Sequence, residues 1–164
     1  MSYFHNLNTK TEIIASLIKL GTPTATAVGG RFTLSGYVNG SVSVVSNRLR
    51  LVAGSSYYIE ASPLIQQTNA NGTIVFGVYD SGTSTYLHSC SFTFGPTVTR
   101  NTAQISRTCT SALILDADIS TSMDVEIRIE TLTGTGWNMT IQADGIAGYN
   151  FVGYPSLRLL ELPS

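Results

Sequence analysis

Apolar and polar residues alternate along much of the chain, which predicts β-strands. The clearest case is residues 123–132, where Val125, Ile127 and Ile129 fall on one face and charged residues fall on the other. Residues 48–65 join an alternating run to a small-residue turn and a second extended run, which predicts a β-hairpin. The regular spacing of such runs predicts an all-β protein, an antiparallel jelly-roll sandwich of about 8–10 strands.

Residues 1–22 follow a different pattern from the rest of the chain. Thr9 and Glu12 have the spacing of a capping box, and Gly21 and Pro23 end the apolar run. This pattern predicts a helix over residues 10–20, too short to be stable alone. The helix packs on its own domain, residues 23–164, or on symmetry-related copies, or it belongs to an arm that attaches the domain to a larger body. The apolar residues that would make this attachment are Leu7, Ile13, Ile14, Leu17 and Ile18.

The final predicted strand, residues 156–162, changes phase in its middle. Leu157 and Leu159 fall on one face, whereas Leu160 and Leu162 fall on the other. Either the strand contains a bulge or both of its faces are buried. In the second case the outer face would meet another subunit, so these four leucines are the candidate subunit interface.

Composition narrows the choice of function. With 43% apolar residues in 164, the chain can form one domain with a sizeable core, and only 12% of its residues are charged. Few charges suit faces that are buried against neighbouring copies. The net charge of −1 without a basic stripe argues against nucleic-acid binding. We expect no membrane insertion and no secretory signal, and therefore synthesis in a cytoplasm.

Residues suited to catalysis are scarce. His5 and His88 lack evident partners, and no G-x-S-x-G elbow is present. We therefore expect a protein that is not an enzyme and has no cofactor. Cys90 and Cys109 are interpreted as reduced thiols, although a disulfide between neighbouring strands stays open.

Two groups of residues are candidates for ligand binding. Asp116, Asp118 and Asp124 form a carboxylate cluster, which we interpret as a solvated loop, with a Ca²⁺ site as the alternative. We expect no metal. Aromatic residues in or near a glycine-containing loop could stack on a sugar. These aromatic residues are Trp137, Tyr149, Phe151 and Tyr154.

Two motifs resemble a known class of proteins. Two segments are similar to strands of phage tail-fibre and capsid-fibre heads: RLRLVAGSSYYIEASPLI, residues 48–65, and GYPSLRLLEL, residues 153–162. Those heads resemble the trimeric jelly roll of C1q and tumour necrosis factor. The resemblance implies a homotrimer, with Leu157, Leu159, Leu160 and Leu162 at its interface, located in a virion that assembles in the host cytoplasm.

The resemblance also implies a function. The leading hypothesis is a structural virion protein without enzymatic activity, either a capsid decoration protein or a fibre head. Its N-terminal arm would attach it to a major capsid or tail protein. The alternative is the receptor- or carbohydrate-binding tip of a tail fibre, which would recognise a host-cell surface glycan. The resemblance brings no catalytic residue.

Overall fold

The computed structural model describes residues 13–67, 72–94, 104–107, 110–139 and 155–163. Within these residues the chain forms thirteen strands and a single-turn 3-10 helix, Asp116–Asp118. The strands are β1 Ile14–Pro23, β2 Phe32–Ser35, β3 Ser43–Val45, β4 Arg48–Val52, β5 Ser55–Ser62, β6 Leu64–Gln67, β7 Gly72–Asp80, β8 Thr85–Phe94, β9 Gln104–Arg107, β10 Thr110–Ile114, β11 Ser122–Leu132, β12 Trp137–Asn138 and β13 Ser156–Pro163.

Two five-stranded antiparallel sheets pack face to face. Sheet A has the order β10-β5-β13-β1-β2, and sheet B has the order β3-β4-β11-β7-β8. A small third sheet, β12-β6-β9, completes the described strands. The chain passes several times between the two large sheets: β1 and β2 lie in sheet A, β3 and β4 in sheet B, and β5 in sheet A again. Such crossings are typical of a jelly-roll-like sandwich. The prediction of an all-β antiparallel sandwich is confirmed.

The core lies between the inner faces of sheets A and B. Alternate residues of each strand point inward, because successive side chains of a strand fall on opposite faces. Phe32 of sheet A meets Phe76 of sheet B edge to face, with ring centroids 6.2 Å apart. The core residues that are at most 1% exposed include Ile18, Leu20, Leu49, Leu51, Ile59, Ile127, Ile129, Leu157 and Leu159.

Strand β1 corrects the predicted N-terminal helix. Residues 14–23 are extended and pair with β13 on one side and β2 on the other, so the helix is wrong over residues 14–20. Ile18 and Leu20 enter the core, whereas Leu17 points outward and is 71% exposed. Because apolar residues occupy both faces of this strand, their spacing imitates that of a helix. Residues 10–12 lie outside the described residues.

Strand β13 explains the phase change in the final strand. It pairs with β5 in continuous register from Ser156 to Pro163, so of the two alternatives the bulge is wrong. Leu157 and Leu159 lie in the core of their own sandwich, whereas Leu160 and Leu162 lie half-buried on the outer face. The outer face of sheet A is therefore partly apolar at its centre.

Candidate interaction surfaces

The outer face of sheet A carries an apolar row that crosses four strands. Leu113 of β10 is opposite Tyr58 of β5, Tyr58 is opposite Leu160 of β13, and Leu160 is opposite Ala15 of β1. Side chains directly opposite each other on antiparallel strands share a face and have Cβ atoms about 5 Å apart. These four residues, the apolar row, therefore form one continuous surface.

Further apolar side chains extend this surface. Leu17 lies on the outer face of β1, Leu115 follows β10 and Ile13 precedes β1; their exposed fractions are 71%, 50% and 55%. The neighbouring row is mixed, because Glu60 is opposite both Ser111 and Arg158. The apolar row thus has one carboxylate and one guanidinium along its border.

The outer face of sheet B is charged instead. Glu126 of β11 points to this face, yet its side chain is fully buried beneath arginine side chains. Its Oε1 accepts a hydrogen bond from Arg48 Nε at 2.6 Å and another from Arg31 Nη1 at 3.4 Å. Its Oε2 lies 3.5 Å from Arg128 Nε. Three guanidinium groups therefore surround one carboxylate; we call these four residues the arginine cluster.

The β1–β2 connection brings Arg31 into this cluster. The Gly29 N–H donates to the Ile129 carbonyl, and the Ile129 N–H donates to the Gly30 carbonyl, so the connection extends sheet B beside β11. Gly29 has φ +85°, and a Cβ at Gly30 would overlap the carbonyl oxygen of Ala25. The two glycines are therefore needed for Arg31 to form its bridge with Arg128.

Two tyrosines support Arg128 from the side. Its guanidinium lies over the Tyr79 ring, 4.2 Å from the centroid, and Tyr79 packs edge to face on Tyr86 at 4.9 Å. Burial of Tyr86, followed by the nearby charge of Glu130, raises the pKa of Tyr86 to about 12. Tyr86 therefore remains an uncharged phenol at neutral pH.

Arg50 lies on the same outer face but is fully paired. Its Nε and Nη2 donate to the two carboxylate oxygens of Asp124 at 2.8 and 2.9 Å. This hydrogen bonding lowers the pKa of the Asp124 carboxyl, partly opposed by burial, and raises the pKa of Arg50. Arg50 thus carries no surplus charge, in contrast to the arginine cluster.

The predicted aspartate cluster is not assembled as a metal site. Asp124 is paired with Arg50, and Asp116 accepts a hydrogen bond from the Gly54 N–H at 2.5 Å. Asp118 and Asp124 line an open pocket of about 430 Å³ together with Asp80, which caps its own turn through the Gly82 N–H and the Thr83 hydroxyl. Within the described ranges no three His, Cys, Asp or Glu side chains are grouped to hold a metal ion.

A second buried carboxylate, Glu161, points into the sandwich from β13. It accepts hydrogen bonds from the Ser41 N–H at 3.0 Å, the Ser41 hydroxyl at 2.8 Å and the Ser55 hydroxyl at 2.9 Å. Tyr57 joins the network through a 3.0 Å contact between its hydroxyl and that of Ser41. This network ties the loop before β3 to sheet A.

The predicted attachment residues have different environments. Ile18 is part of the core, and Ile14 is half-buried at the start of β1. Ile13 and Leu17 are exposed beside the apolar row, so they remain available for contacts. Leu7 lies outside the described residues.

Of the predicted aromatic ligand residues, only Trp137 falls in a described range. It packs partly against the core and donates its indole N–H to the Thr133 carbonyl at 3.0 Å. These contacts suit a structural role. The aromatic residues outside the described ranges are Tyr149, Phe151 and Tyr154.

The histidines and cysteines form no group that could hold a metal ion within the described residues. His88 lies on β8, and its Nδ1 is 3.1 Å from the hydroxyl of Thr110, a buried residue of β10. Cys90 lies on β8, opposite Phe76 of β7 in the strand register. His5 and Cys109 lie outside the described residues.

Sequence reasoning missed several residues of these two surfaces. In residues 110–115, Leu113 and Leu115 alternate with Ala112 and Ile114, so both faces of the predicted strand are apolar. This pattern is the signal of a strand that is covered on both faces. Glu126 lies among the charged residues of the alternating run 123–132, a pattern typical of a solvated strand face, but its side chain is buried. No local signal connects Arg31 with Glu126.

The chain matches no known protein family, and no curated protein matches it. Among the residues described, no helix is long and apolar enough to cross a membrane.

Proposed function

We propose that this protein is a structural component of a virion, a capsid decoration protein or fibre head without enzymatic activity, which assembles as a trimer through the outer face of sheet A. The apolar row Leu113–Tyr58–Leu160–Ala15 carries the proposal. Leu113 is 59% exposed and Leu17 is 71% exposed, so two large apolar side chains of this face are in water in the single chain. Covering such a surface is favourable in proportion to the apolar area removed from water.

A second copy of the same chain is the partner that best suits this face. The border of the apolar row holds one negative residue, Glu60, directly opposite one positive residue, Arg158. A copy of this border presents both signs and can therefore oppose unlike charges, whereas a partner of one charge would leave one of them unmatched. The resemblance to trimeric jelly rolls supports three copies rather than two.

Attachment to a capsid or tail protein would then use the N-terminal segment. Because β1 starts at Ile14 and fills the space between β13 and β2, a deletion of residues 1–22 would remove a strand from the sheet. A deletion of residues 1–12 leaves every described strand in place. The arm relevant to attachment is therefore residues 1–12, together with the exposed Ile13.

Light scattering on the purified full chain tests the assembly. We expect a mass of three 17.5-kDa chains for the wild type and of one chain for the Leu17→Lys, Leu113→Lys variant, because two ammonium groups would then enter the interface. The matched control is Val28→Lys, Tyr37→Lys, since these side chains are 64% and 88% exposed in the β1–β2 and β2–β3 connections. The control should remain trimeric.

A wild type that stays monomeric, or a control that dissociates as fully as the test variant, would refute assembly through this face.

The virion location is tested separately by mass spectrometry of purified particles from the infected host. Particles assembled with the chain lacking residues 1–12 should lose it, while the isolated truncated protein remains a trimer. Its retention on those particles would contradict attachment through the arm.

A further inference from the structure

The arginine cluster has more positive than negative charge. Arg31, Arg48 and Arg128 surround the single carboxylate of Glu126. Two further carboxylates lie on the same face of β11: Asp124, two residues before Glu126, and Glu130, which is half-buried beside Tyr86. Asp124 is already paired with Arg50. Within ion-pair distance, the three guanidinium groups therefore share one carboxylate, Glu126, while Asp80 and Asp118 line the pocket beside Arg48.

Each of these arginines also has hydrogen-bond donors to spare. A guanidinium group has five N–H donors in a planar fork, and the contacts to Glu126 use one nitrogen of each group. Arg128 Nε and Glu126 Oε2 are buried 3.5 Å from each other as an ion pair without a hydrogen bond, so Arg128 contacts the carboxylate through Nε alone. The side chains of Arg31, Arg48 and Arg128 are 32%, 37% and 29% exposed, so part of each one reaches solvent.

The cluster is also held in place before any ligand arrives. Arg31 is fixed by the backbone bridge to β11, and Arg128 rests on the Tyr79 ring. Arg48 is fixed by its 2.6 Å hydrogen bond to Glu126. Positioning three arginines in advance lowers the entropic cost of binding an anion.

We propose that Arg31, Arg48 and Arg128 form a binding site for an oxyanion, a phosphate, sulfate or carboxylate group, on the outer face of sheet B. Glu126 serves as a buried anchor that orients the three guanidinium groups and is not itself a ligand contact. Planar guanidinium forks match the paired oxygens of such groups. The site does not depend on assembly through sheet A, because it lies on the opposite outer face of the sandwich.

Nuclear magnetic resonance of arginine Nε–H groups in the full-length protein tests this site. Sodium phosphate, added at constant ionic strength, should shift the resonances of Arg31, Arg48 and Arg128 saturably and leave that of Arg50 in place. Glucose 6-phosphate serves as the second probe. Tighter binding of the sugar phosphate would support an anion carried on a saccharide, and equal binding would support recognition of the anion alone.

Arg31→Gln and Arg50→Gln form the matched pair of variants. Arg31 makes the longest hydrogen bond to Glu126 and lies in a connection, so its replacement should leave the sheets intact. We expect Arg31→Gln to weaken phosphate binding about tenfold and Arg50→Gln to change it less than about twofold. Non-saturable shifts, equal effects of the two variants, or unchanged affinity in Arg31→Gln would each overturn the proposal.

Discussion

The two outer faces of the sandwich present opposite chemistry. The outer face of sheet A carries a row of apolar side chains from Leu113 to Ala15, with one charge of each sign at its border. Sheet B shows an arginine cluster organised around the buried carboxylate of Glu126. The inner faces of both sheets, in contrast, contribute similar aliphatic and aromatic residues to one core.

This difference separates two kinds of recognition. An apolar surface gains free energy from any apolar area that covers it, without demanding a particular bond geometry. Guanidinium groups lose hydration when a partner covers them, and only well-placed hydrogen-bond acceptors compensate the free-energy cost of this loss. The face of sheet A therefore suits a broad contact between copies, and that of sheet B suits a small ligand with a defined charge.

The two buried carboxylates repeat the contrast. Glu126 is surrounded by guanidinium groups, whereas Glu161 accepts its described hydrogen bonds from the hydroxyls of Ser41 and Ser55 and the backbone of Ser41. Neutral donors stabilise a buried carboxylate without leaving surplus charge at the surface. Among the contacts described for these two carboxylates, those of Glu126 place positively charged guanidinium groups at the surface.

The largest expected effect on stability distinguishes two adjacent leucines of β13, Leu159 on the inner face of sheet A and Leu160 on its outer face. Leu159→Ala should lower the free energy of unfolding by about 2–5 kcal/mol, because it leaves a cavity in the core. Leu160→Ala should lower it by about 1–2 kcal/mol, since Leu160 keeps part of its surface in water and its removal leaves no enclosed cavity. Urea unfolding in the Leu17→Lys, Leu113→Lys background measures both. Equal losses would contradict the assignment of the two faces.

A smaller effect is expected at the anchor of the arginine cluster. Glu126→Gln should lower the free energy of unfolding by about 1–3 kcal/mol, because charged hydrogen bonds are lost and three like charges face one another. Glu130→Gln, on the same face of β11, should change it by no more than about 0.5 kcal/mol. Thermal and urea unfolding of the two variants provide the measurement. Glu126→Gln as stable as wild type would show that the cluster contributes nothing to folding.

The smallest effect concerns the Arg50–Asp124 pair and depends on pH. The pKa of Asp124 is lowered in the folded protein, so the pair stabilises the fold above the unfolded pKa of about 3.9. That contribution is lost as pH falls through the lower, folded pKa. The stability difference between wild type and Asp124→Asn should therefore shrink in acid, as measured by urea unfolding across pH. A pH-independent Asp124→Asn difference would contradict the pairing.

The fold was predictable where a strand has one apolar face. The sequence predicts β11 because charged residues alternate with Val125, Ile127 and Ile129. The same rule fails for β1, where Leu17 on the outer face completes a helix-like spacing with Ile14 and Ile18. The local pattern is ambiguous there, and pairing with the distant β13 decides the structure.

The candidate site was less predictable for a related reason. The Arg31–Glu126 contact joins residues 95 positions apart, and Arg48–Glu126 joins residues 78 positions apart. Each arginine alone looks like an ordinary surface residue. Only the docking of the glycine-containing β1–β2 connection against β11 shows that they converge.

The central position of β13 has a consequence for how the protein is made. β13 fills the gap between β5 and β1, so these two strands have unpaired edges on the ribosome until residues 156–163 have been translated. Open strand edges invite pairing with other chains. Sheet A can therefore be completed only after β13 has been made, and products that stop before β13 should aggregate rather than fold.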